Sequence, residues 1–160
     1  MIHVLFVCLG NICRSPMAEA IFRQKVKQAK LDTKISVDSV GTYGGHAGDR
    51  PHRGTQRELK RQQIPFDGIV SRQLTAHDIE VTDYIVVMDT QNLNDVRRST
   101  ANWGFDDIDI RMMLEFSSDH SITTLDVPDP YYSRGFGRVY NMLDDAAGGL
   151  LTYIRREEKL

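Results

Sequence analysis

Cys8-Leu9-Gly10-Asn11-Ile12-Cys13-Arg14-Ser15 joins two segments of different character. The residues before it, 2–8, are almost continuously apolar, as in a strand that is buried on both faces. After it, Pro16 suits a first helical turn, and apolar residues recur at helical spacing as far as Ala29. A loop between such a strand and such a helix gathers backbone N–H groups at the positive end of the helix dipole. The stretch therefore predicts an anion-binding loop in a parallel sheet.

The rest of the chain continues the alternation of strands and helices. Strands are predicted at residues 35–40, at 84–88 and, from a weaker pattern, at 108–114. Helices are predicted at 55–63, from a cap at Asp89 to about Ser99, and along the apolar stripe at 139–154. This order predicts an α/β fold in which residues 1–160 form one doubly wound domain, with a parallel sheet of about four strands flanked by helices.

Composition and charge exclude several classes of function. The 160 residues are 41% hydrophobic and carry a formal net charge of -2, so there is no overall basic field of the kind that binds nucleic acid or anionic membranes. No apolar run could span a bilayer and no secretory signal is evident, so we expect a cytoplasmic protein. Two cysteines form no disulfide framework, and the five histidines lack ligand spacing, so we expect no metal and no other cofactor. A monomer is the expected state.

The residue types of the loop suit phosphate chemistry. Gly10 and Asn11 tolerate the positive φ angles that a tight wrap of backbone around an anion requires. The positive field of the loop favours the thiolate of Cys8, which is the nucleophilic form. Arg14 can bind two phosphate oxygens with its planar guanidinium, and Ser15 can donate its hydroxyl to the thiolate. The predicted phosphate-binding residues are Leu9, Gly10, Asn11, Ile12, Cys13 and Ser15.

Spacing alone leaves a second interpretation open. A cysteine at the end of a buried strand is often a small core residue, and an arginine six positions later is often an ordinary surface charge. The strand before the loop, the helix after it, the permissive Gly10 and Asn11, and the hydroxyl beside Arg14 favour the chemical interpretation. Similarly, Asp129 between two prolines is a rigidly placed candidate proton donor, although Asp-Pro pairs are also common in turns.

The whole chain resembles one known family, the low-molecular-weight protein tyrosine phosphatases. The resemblance rests on these segments in order: Val7-Cys8-Leu9-Gly10-Asn11-Ile12-Cys13-Arg14-Ser15-Pro16, Ala18-Glu19, Asp38-Ser39, Ser71-Arg72-Gln73, Met88-Asp89 and Asp129-Pro130-Tyr131-Tyr132. It implies hydrolysis of phosphotyrosine or another aryl phosphate through a cysteinyl phosphate. Tyrosine-phosphorylated proteins, a tyrosine kinase among them, are the expected partners.

The resemblance also assigns roles to individual residues. It implies that Cys8 is the nucleophile, Arg14 the phosphate clamp, and Asp129 the general acid and then the general base. Tyr131 and Tyr132 are expected to form a wall against the substrate ring, for which core packing is the alternative.

Two further features of the loop follow from the same resemblance. Ser39 is expected to hold the strained Asn11 by a hydrogen bond. Cys13 is expected either to fill space or to form a reversible disulfide with Cys8.

The chain departs from the family pattern at two positions. The resemblance implies that loop 42–52 forms the wall opposite Tyr131 and Tyr132, with Tyr43, His46 and Arg50 available to contact the substrate. Many members have Trp or Tyr near the position of Gly45, so this wall is expected to be more open or to use Tyr43 instead. Many members also have a His where this chain has Ile69, and the phosphate loop therefore lacks that support.

Three other functions compete with this interpretation. Arsenate reductase shares the Cys-x5-Arg-Ser loop, but it needs further cysteines downstream, and none follows Cys13. A catalytically silent phosphate-binding module would lack the nucleophile or the acid, whereas Cys8 and Asp129 are both present. A nucleotide-binding P-loop would end in Lys followed by Ser or Thr, whereas this loop ends in Arg14 and Ser15.

Overall fold

A computed structural model describes all 160 residues as an α/β sandwich. The strands are β1 (Ile2–Cys8), β2 (Ile35–Gly41), β3 (Tyr84–Val87) and β4 (Ile110–Met112). The helices are α1 (Arg14–Gln28), α2 (Arg53–Arg61), α3 (Ala76–Val81), α4 (Thr90–Asn102), the single turn α5 (Pro130–Ser133) and α6 (Phe136–Glu157). A 3₁₀ turn, Met113–Phe116, follows β4.

The four strands form one parallel sheet in the order β2-β1-β3-β4. The chain runs outward from β1 to β2 and then crosses to β3 on the other side, so the strand order reverses between β1 and β3. In open parallel sheets, ligands bind at the carboxyl ends of the strands beside such a reversal. Cys8 ends β1 and Asp89 follows β3, and both residues therefore lie at this point. The predicted doubly wound α/β class is confirmed.

The core has one apolar cluster on each face of the sheet. Along β1 the side chains alternate: Val4, Phe6 and Cys8 belong to the cluster formed with α1, α2 and α6, while Leu5 and Val7 belong to the cluster formed with α3 and α4. All five are almost fully buried. This alternation explains why β1 reads as a continuous apolar run, because both of its faces are covered.

The long helix α6 runs without a break through Gly148 and Gly149. A Cβ atom at Gly149 would lie 1.9 Å from the carbonyl oxygen of Phe116, whereas a Cβ atom at Gly148 would have no neighbour within 4 Å. The helix therefore needs glycine at position 149, where the 3₁₀ turn crosses it closely. Position 149 is thus a site of close backbone packing, although glycine in a helix interior is unfavourable by itself.

The element boundaries differ from the predicted ones in a few places. α2 begins two residues earlier than predicted because His52 caps it, its ring Nδ1 accepting from the N–H of Gly54 at 3.0 Å. It also ends two residues earlier, before Gln63, whose φ angle of 58° is left-handed. β4 has only three residues. α3 was not predicted, although Thr75 and Asp78 form a capping box at its start. No helix is long and apolar enough to cross a membrane.

Candidate active site

In the loop that follows Cys8, most carbonyl groups are bonded to other parts of the protein, whereas the N–H groups of residues 9–13 are free. The carbonyl acceptors and their donors are Cys8 with Thr42 N (3.0 Å), Leu9 with Tyr43 N (2.9 Å), Gly10 with Ser71 Oγ (3.0 Å), Ile12 with His52 N (2.7 Å) and Cys13 with Thr55 Oγ1 (3.2 Å). None of the five N–H groups of residues 9–13 has an acceptor within the protein. Consecutive free amides at the start of a helix form a binding site for an anion such as phosphate.

Asn11 holds the shape of this loop from inside. Its φ angle is 55°, in the left-handed region, and its side chain is almost fully buried. Its amide nitrogen donates to Ser15 Oγ at 2.7 Å and to Ser39 Oγ at 2.9 Å, and its amide oxygen accepts from the N–H of Arg72 at 3.0 Å. Both amide groups of Asn11 are therefore satisfied, which compensates for the strained backbone. The geometry agrees with the contact expected for Ser39.

The Cys8 sulfur lies at the floor of the loop, 3.0 Å from Ser15 Oγ. Because Asn11 donates its amide hydrogen to Ser15 Oγ, the single hydroxyl hydrogen of Ser15 is free to point elsewhere. Its other acceptor, the carbonyl oxygen of Val40, is more distant at 3.4 Å. The arrangement therefore directs the hydroxyl of Ser15 toward the sulfur, where it can stabilise a thiolate.

Arg14 is buried, and one side of its guanidinium is already occupied. Nη1 donates to Asp89 Oδ2 at 2.6 Å and to the carbonyl oxygen of Val127 at 3.0 Å. Burial lowers the pKa of Arg14, but the charges of Cys8 and Asp89 raise it by more, so the side chain stays charged. Nε has no partner in the protein, and Nη2 makes only a 3.5 Å ion pair with Asp129. The Nε–Nη2 edge is thus free to bind two oxygens of an anion.

Asp129 lies at the edge of the same cavity, held by two contacts. It caps α5, its Oδ1 accepting from the N–H of Tyr131 at 3.0 Å. Its Oδ2 lies 3.5 Å from Arg14 Nη2. One carboxylate oxygen is therefore fixed by the cap, while the other faces the guanidinium that borders the loop.

A cavity of about 150 Å³ brings these groups together. Its lining consists of Cys8, Leu9, Gly10, Ile12, Cys13, Arg14, Tyr43, His46, Asp129, Tyr131 and Tyr132. Tyr132 and Tyr43 are among the most exposed aromatic side chains of the protein, at 76% and 57%. Tyr131 and Tyr132 contact each other edge to face at 5.1 Å between ring centroids. The tyrosines therefore stand at the mouth of the cavity, and the alternative of core packing is wrong for them.

The structure decides between the two alternatives that were expected for the wall at Gly45. A Cβ atom at this position would lie 2.2 Å from the Tyr43 ring, so the ring of Tyr43 occupies the space beside Gly45. Tyr43 also contacts the ring of His46 edge to face at 6.3 Å. Tyr43 and His46 line the cavity, whereas Arg50 lies outside it and lines an adjacent groove. The wall of loop 42–52 thus uses Tyr43 in place of an aromatic residue at position 45.

The prediction of a positive φ angle at Gly10 is wrong, because only Asn11 within the loop lies in the left-handed region. The constraint at position 10 is space: a Cβ atom there would lie 3.1 Å from Cδ2 of the His46 ring. Glycine lets His46 approach the loop closely. Contact with a residue that is distant in the chain could not be deduced from the loop sequence.

Glu19 belongs to the segments that carry the family resemblance, and no role was predicted for it, yet it takes part in the support of the loop. It is almost fully buried in α1, and its Oε2 accepts from Ser39 Oγ at 2.9 Å. A chain of hydrogen bonds therefore runs from Glu19 through Ser39, Asn11 and Ser15 to Cys8. Burial raises the pKa of Glu19 to about 7, with the Ser39 hydroxyl opposing the shift. The available sequence signal was its position between Ala18 and Ala20 in the apolar pattern of the first helix.

Cys13 is a buried free thiol at the start of α1. Burial, together with the charges of Cys8 and Asp129, raises its pKa to about 12. Cys13 therefore stays protonated at neutral pH, and a disulfide with Cys8 stays a prediction. No group of three or more His, Cys, Asp or Glu side chains in the structure could hold a metal ion.

A family model described as low molecular weight phosphotyrosine protein phosphatase matches residues 3–160. The chain belongs to this family. It is 44% identical to the low molecular weight protein-tyrosine-phosphatase YfkJ of Bacillus subtilis, over 100% of both chains. It is 42% identical to the low molecular weight protein-tyrosine-phosphatase PtpA of Staphylococcus aureus, over 100% of this chain and 98% of that one.

Solved structures of phosphatases have the same fold. The crystal structure of YfkJ matches with a TM-score of 0.91 over 98% of this chain and 96% of that one. A protein tyrosine phosphatase from Entamoeba histolytica, solved with Hepes in its active site, is 35% identical and matches with a TM-score of 0.85 over 100% of both chains. The protein is accordingly a protein-tyrosine-phosphatase, and its family implies phosphoprotein substrates.

Proposed function

We propose that this phosphatase hydrolyses phosphotyrosine in two steps through a phosphate ester of Cys8. The observation that carries the proposal is the row of five free N–H groups at residues 9–13, wrapped around the Cys8 end of β1. These donors can bind the phosphate oxygens while the sulfur faces the phosphorus. Phosphoryl transfer depends mainly on such positioning and on stabilisation of the oxygen charges.

In the first step, the Cys8 thiolate attacks phosphorus, so that an S–P bond forms and the P–O bond to the tyrosine ring breaks. The loop N–H groups and the Nε–Nη2 edge of Arg14 bind the phosphoryl oxygens as their charge redistributes. Asp89 and the Val127 carbonyl hold Arg14 by its other nitrogen, so that its orientation is set before the substrate arrives. Asp129 in its acid form gives its proton to the departing phenolate oxygen.

In the second step, water attacks phosphorus and the S–P bond breaks. Asp129, now a carboxylate, takes a proton from the attacking water, and inorganic phosphate leaves. Cys8 departs as a thiolate, and the hydroxyl of Ser15 at 3.0 Å stabilises it. Both steps use the same carboxylate because it borders the cavity that holds the phosphorus.

The walls of the cavity support a preference for aryl phosphates. Tyr43, Tyr131 and Tyr132 all line the cavity and are all exposed. Aromatic rings provide contact area for the ring of phosphotyrosine, whereas a phosphoserine side chain is too short to offer the same contact. We propose phosphotyrosine proteins, a tyrosine kinase among them, as substrates of a monomer in the cytoplasm. A reducing compartment would keep the thiol of Cys8 available.

Release of phosphate from an aryl phosphate, with EDTA present, tests this mechanism. Wild type should be active, Cys8→Ser should be inactive, and Asp129→Ala should lose about 10²–10⁴ in rate, as expected for a general acid. The loss in Asp129→Ala should be smaller for a phosphate ester whose leaving group is a weak base, because such a group needs no proton. Activity that survives in Cys8→Ser, or that chelation abolishes, would refute the proposal.

A further inference from the structure

The basic side chains of the protein are unevenly distributed. The chain as a whole carries a formal net charge of -2, yet residues 50–61 contain five cationic side chains and one acidic side chain, Glu58. Glu58 is buried and bonded to Arg61 at 2.7 Å, so it neutralises only that residue. The other four cationic side chains, Arg50, Arg53, Arg57 and Lys60, are exposed and have no ion-pair partner in the protein. We call these four residues the basic ridge.

The ridge has a defined shape because α2 orders it. Arg53, Arg57 and Lys60 are spaced by four and three residues, which places them on one face of α2. The opposite face of the helix packs into the core through Thr55 and Leu59.

The ridge also borders a groove beside α2. Arg50 precedes the helix and lines this groove together with Lys60, which stands over the Phe66 ring at 6.0 Å. The ridge thus combines a cationic helix face with a groove that apolar side chains line in part.

The ridge begins at the mouth of the active-site cavity. His52, which caps α2, donates its backbone N–H to the carbonyl oxygen of Ile12 at 2.7 Å. Its ring contacts Tyr131 edge to face at 5.7 Å between centroids. On the buried face of α2, Thr55 donates to the carbonyl oxygen of Cys13 at 3.2 Å, which fixes the start of the helix, where Arg53 lies, beside the loop. A peptide whose phosphotyrosine occupies the cavity therefore has neighbouring residues within reach of the first turn of α2.

We infer that the basic ridge binds acidic residues that flank the phosphotyrosine of a protein substrate. The inference rests on the proposed function, since it requires the phosphotyrosine to occupy the cavity lined by Cys8 and Arg14. Unpaired cations beside a binding site attract a ligand of opposite charge and raise its rate of association. The location at the mouth favours a substrate segment over a membrane or a nucleic acid, neither of which would need to enter the cavity.

The test compares two phosphotyrosine peptides that differ only in having Glu or Gln beside the phosphotyrosine. For wild type at about 0.05 M salt, we expect kcat/KM to be about tenfold higher for the Glu peptide, and raising the salt to about 0.5 M should remove most of this preference. In the triple variant Arg53→Gln, Arg57→Gln and Lys60→Gln, the preference should fall to about twofold or less. Each value is divided by kcat/KM for a small aryl phosphate, so that an effect on the chemistry itself cancels.

Arg155→Gln is the matched control, because Arg155 is also exposed and unpaired but lies near the end of α6. That end is remote from the cavity, since Glu158 bonds to Tyr84 at the start of β3. The control should keep the full preference for the Glu peptide. Equal preference for the Glu peptide in wild type and the triple variant would overturn the inference. It would also be overturned if the triple variant lost binding to anionic vesicles or RNA but kept the peptide preference of wild type. Wild type that leaves even the small aryl phosphate intact would instead refute the proposed function.

Discussion

Replacing the buried Glu19 by glutamine should change how the stability of the protein depends on pH. Glu19 is 6% exposed, and its one hydrogen-bond partner in the protein is the hydroxyl of Ser39. Asp38 adds a repulsive charge, and Arg23 and Arg72 compensate only in part. Burial raises the pKa of Glu19 from 4.5 to about 7, so the folded protein holds a proton that the unfolded chain has released.

The direction and size of the effect follow from this difference in pKa. A carboxyl group whose pKa is raised in the folded state stabilises the protein fully below the unfolded pKa, and the stability is lost as the pH rises toward the folded pKa. Between pH 5.5 and pH 8.5, the shift from 4.5 to about 7 corresponds to a loss of about 2 kcal/mol from the free energy of unfolding. The amide of the Glu19→Gln variant cannot ionise, although its oxygen can still accept from Ser39.

Urea unfolding at the two pH values measures this loss. The free energy of unfolding of wild type should fall by about 2 kcal/mol more than that of Glu19→Gln between pH 5.5 and pH 8.5. A constant cost of burying the amide would lower the stability of the variant equally at both pH values, and it drops out of the comparison. Glu80→Gln, at an exposed position, should behave as wild type does. Parallel pH dependence in wild type and Glu19→Gln would show that Glu19 does not hold an extra proton in the folded protein.

The remaining predictions concern the guanidinium of Arg14 and the close contact between α6 and the 3₁₀ turn at Gly149. Arg14→Lys keeps a charge but loses the two-nitrogen edge and the bond to Asp89. We therefore expect kcat for an aryl phosphate to fall by about 10²–10³. A loss of less than tenfold would contradict the proposed role of the Nε–Nη2 edge. Gly148→Ala should raise the free energy of unfolding by up to about 1 kcal/mol, because open space surrounds a helical position. Gly149→Ala should instead lower the free energy of unfolding by about 1–3 kcal/mol, because its Cβ atom would clash with Phe116. If urea unfolding gave the same change for Gly148→Ala and Gly149→Ala, the clash would not exist.

The sequence predicted the order of the main elements well because strong local signals mark them. The apolar run of β1, the glycine that ends β2 and the cap at Asp89 all act within a few residues. α3 was missed because its six residues are too few for a helical pattern, although Thr75 and Asp78 form its capping box. Local signals therefore predicted the fold, and very short elements escaped them.

The loop was predictable for the same reason, but apart from Ser39, which the family resemblance indicated, its supports were not. Cys8 and Arg14 are recognisable from one stretch of sequence, because the strand and the helix on either side imply their surroundings. The partners of Arg14 come from the ends of other strands and loops, at Asp89 and Val127, and nothing near the loop indicates them. The contact between Gly10 and His46 likewise depends on how loop 42–52 folds back. Tertiary contacts of this kind are visible only in the structure.

The two-step mechanism requires a covalent bond between phosphate and Cys8. Asp129→Ala should accumulate this ester with an aryl phosphate whose leaving group is a weak base, because the first step then needs no acid, while the second has lost its base. Rapid acid quenching, followed by mass spectrometry of the proteolytic peptide that contains residues 8–14, measures it directly. The two-step mechanism predicts one added phosphoryl group on Cys8 in Asp129→Ala, and none when Cys8→Ser is added to that variant. A phosphate-free peptide in an enzyme that is still turning over substrate, or a phosphoryl group on any other residue, would contradict it.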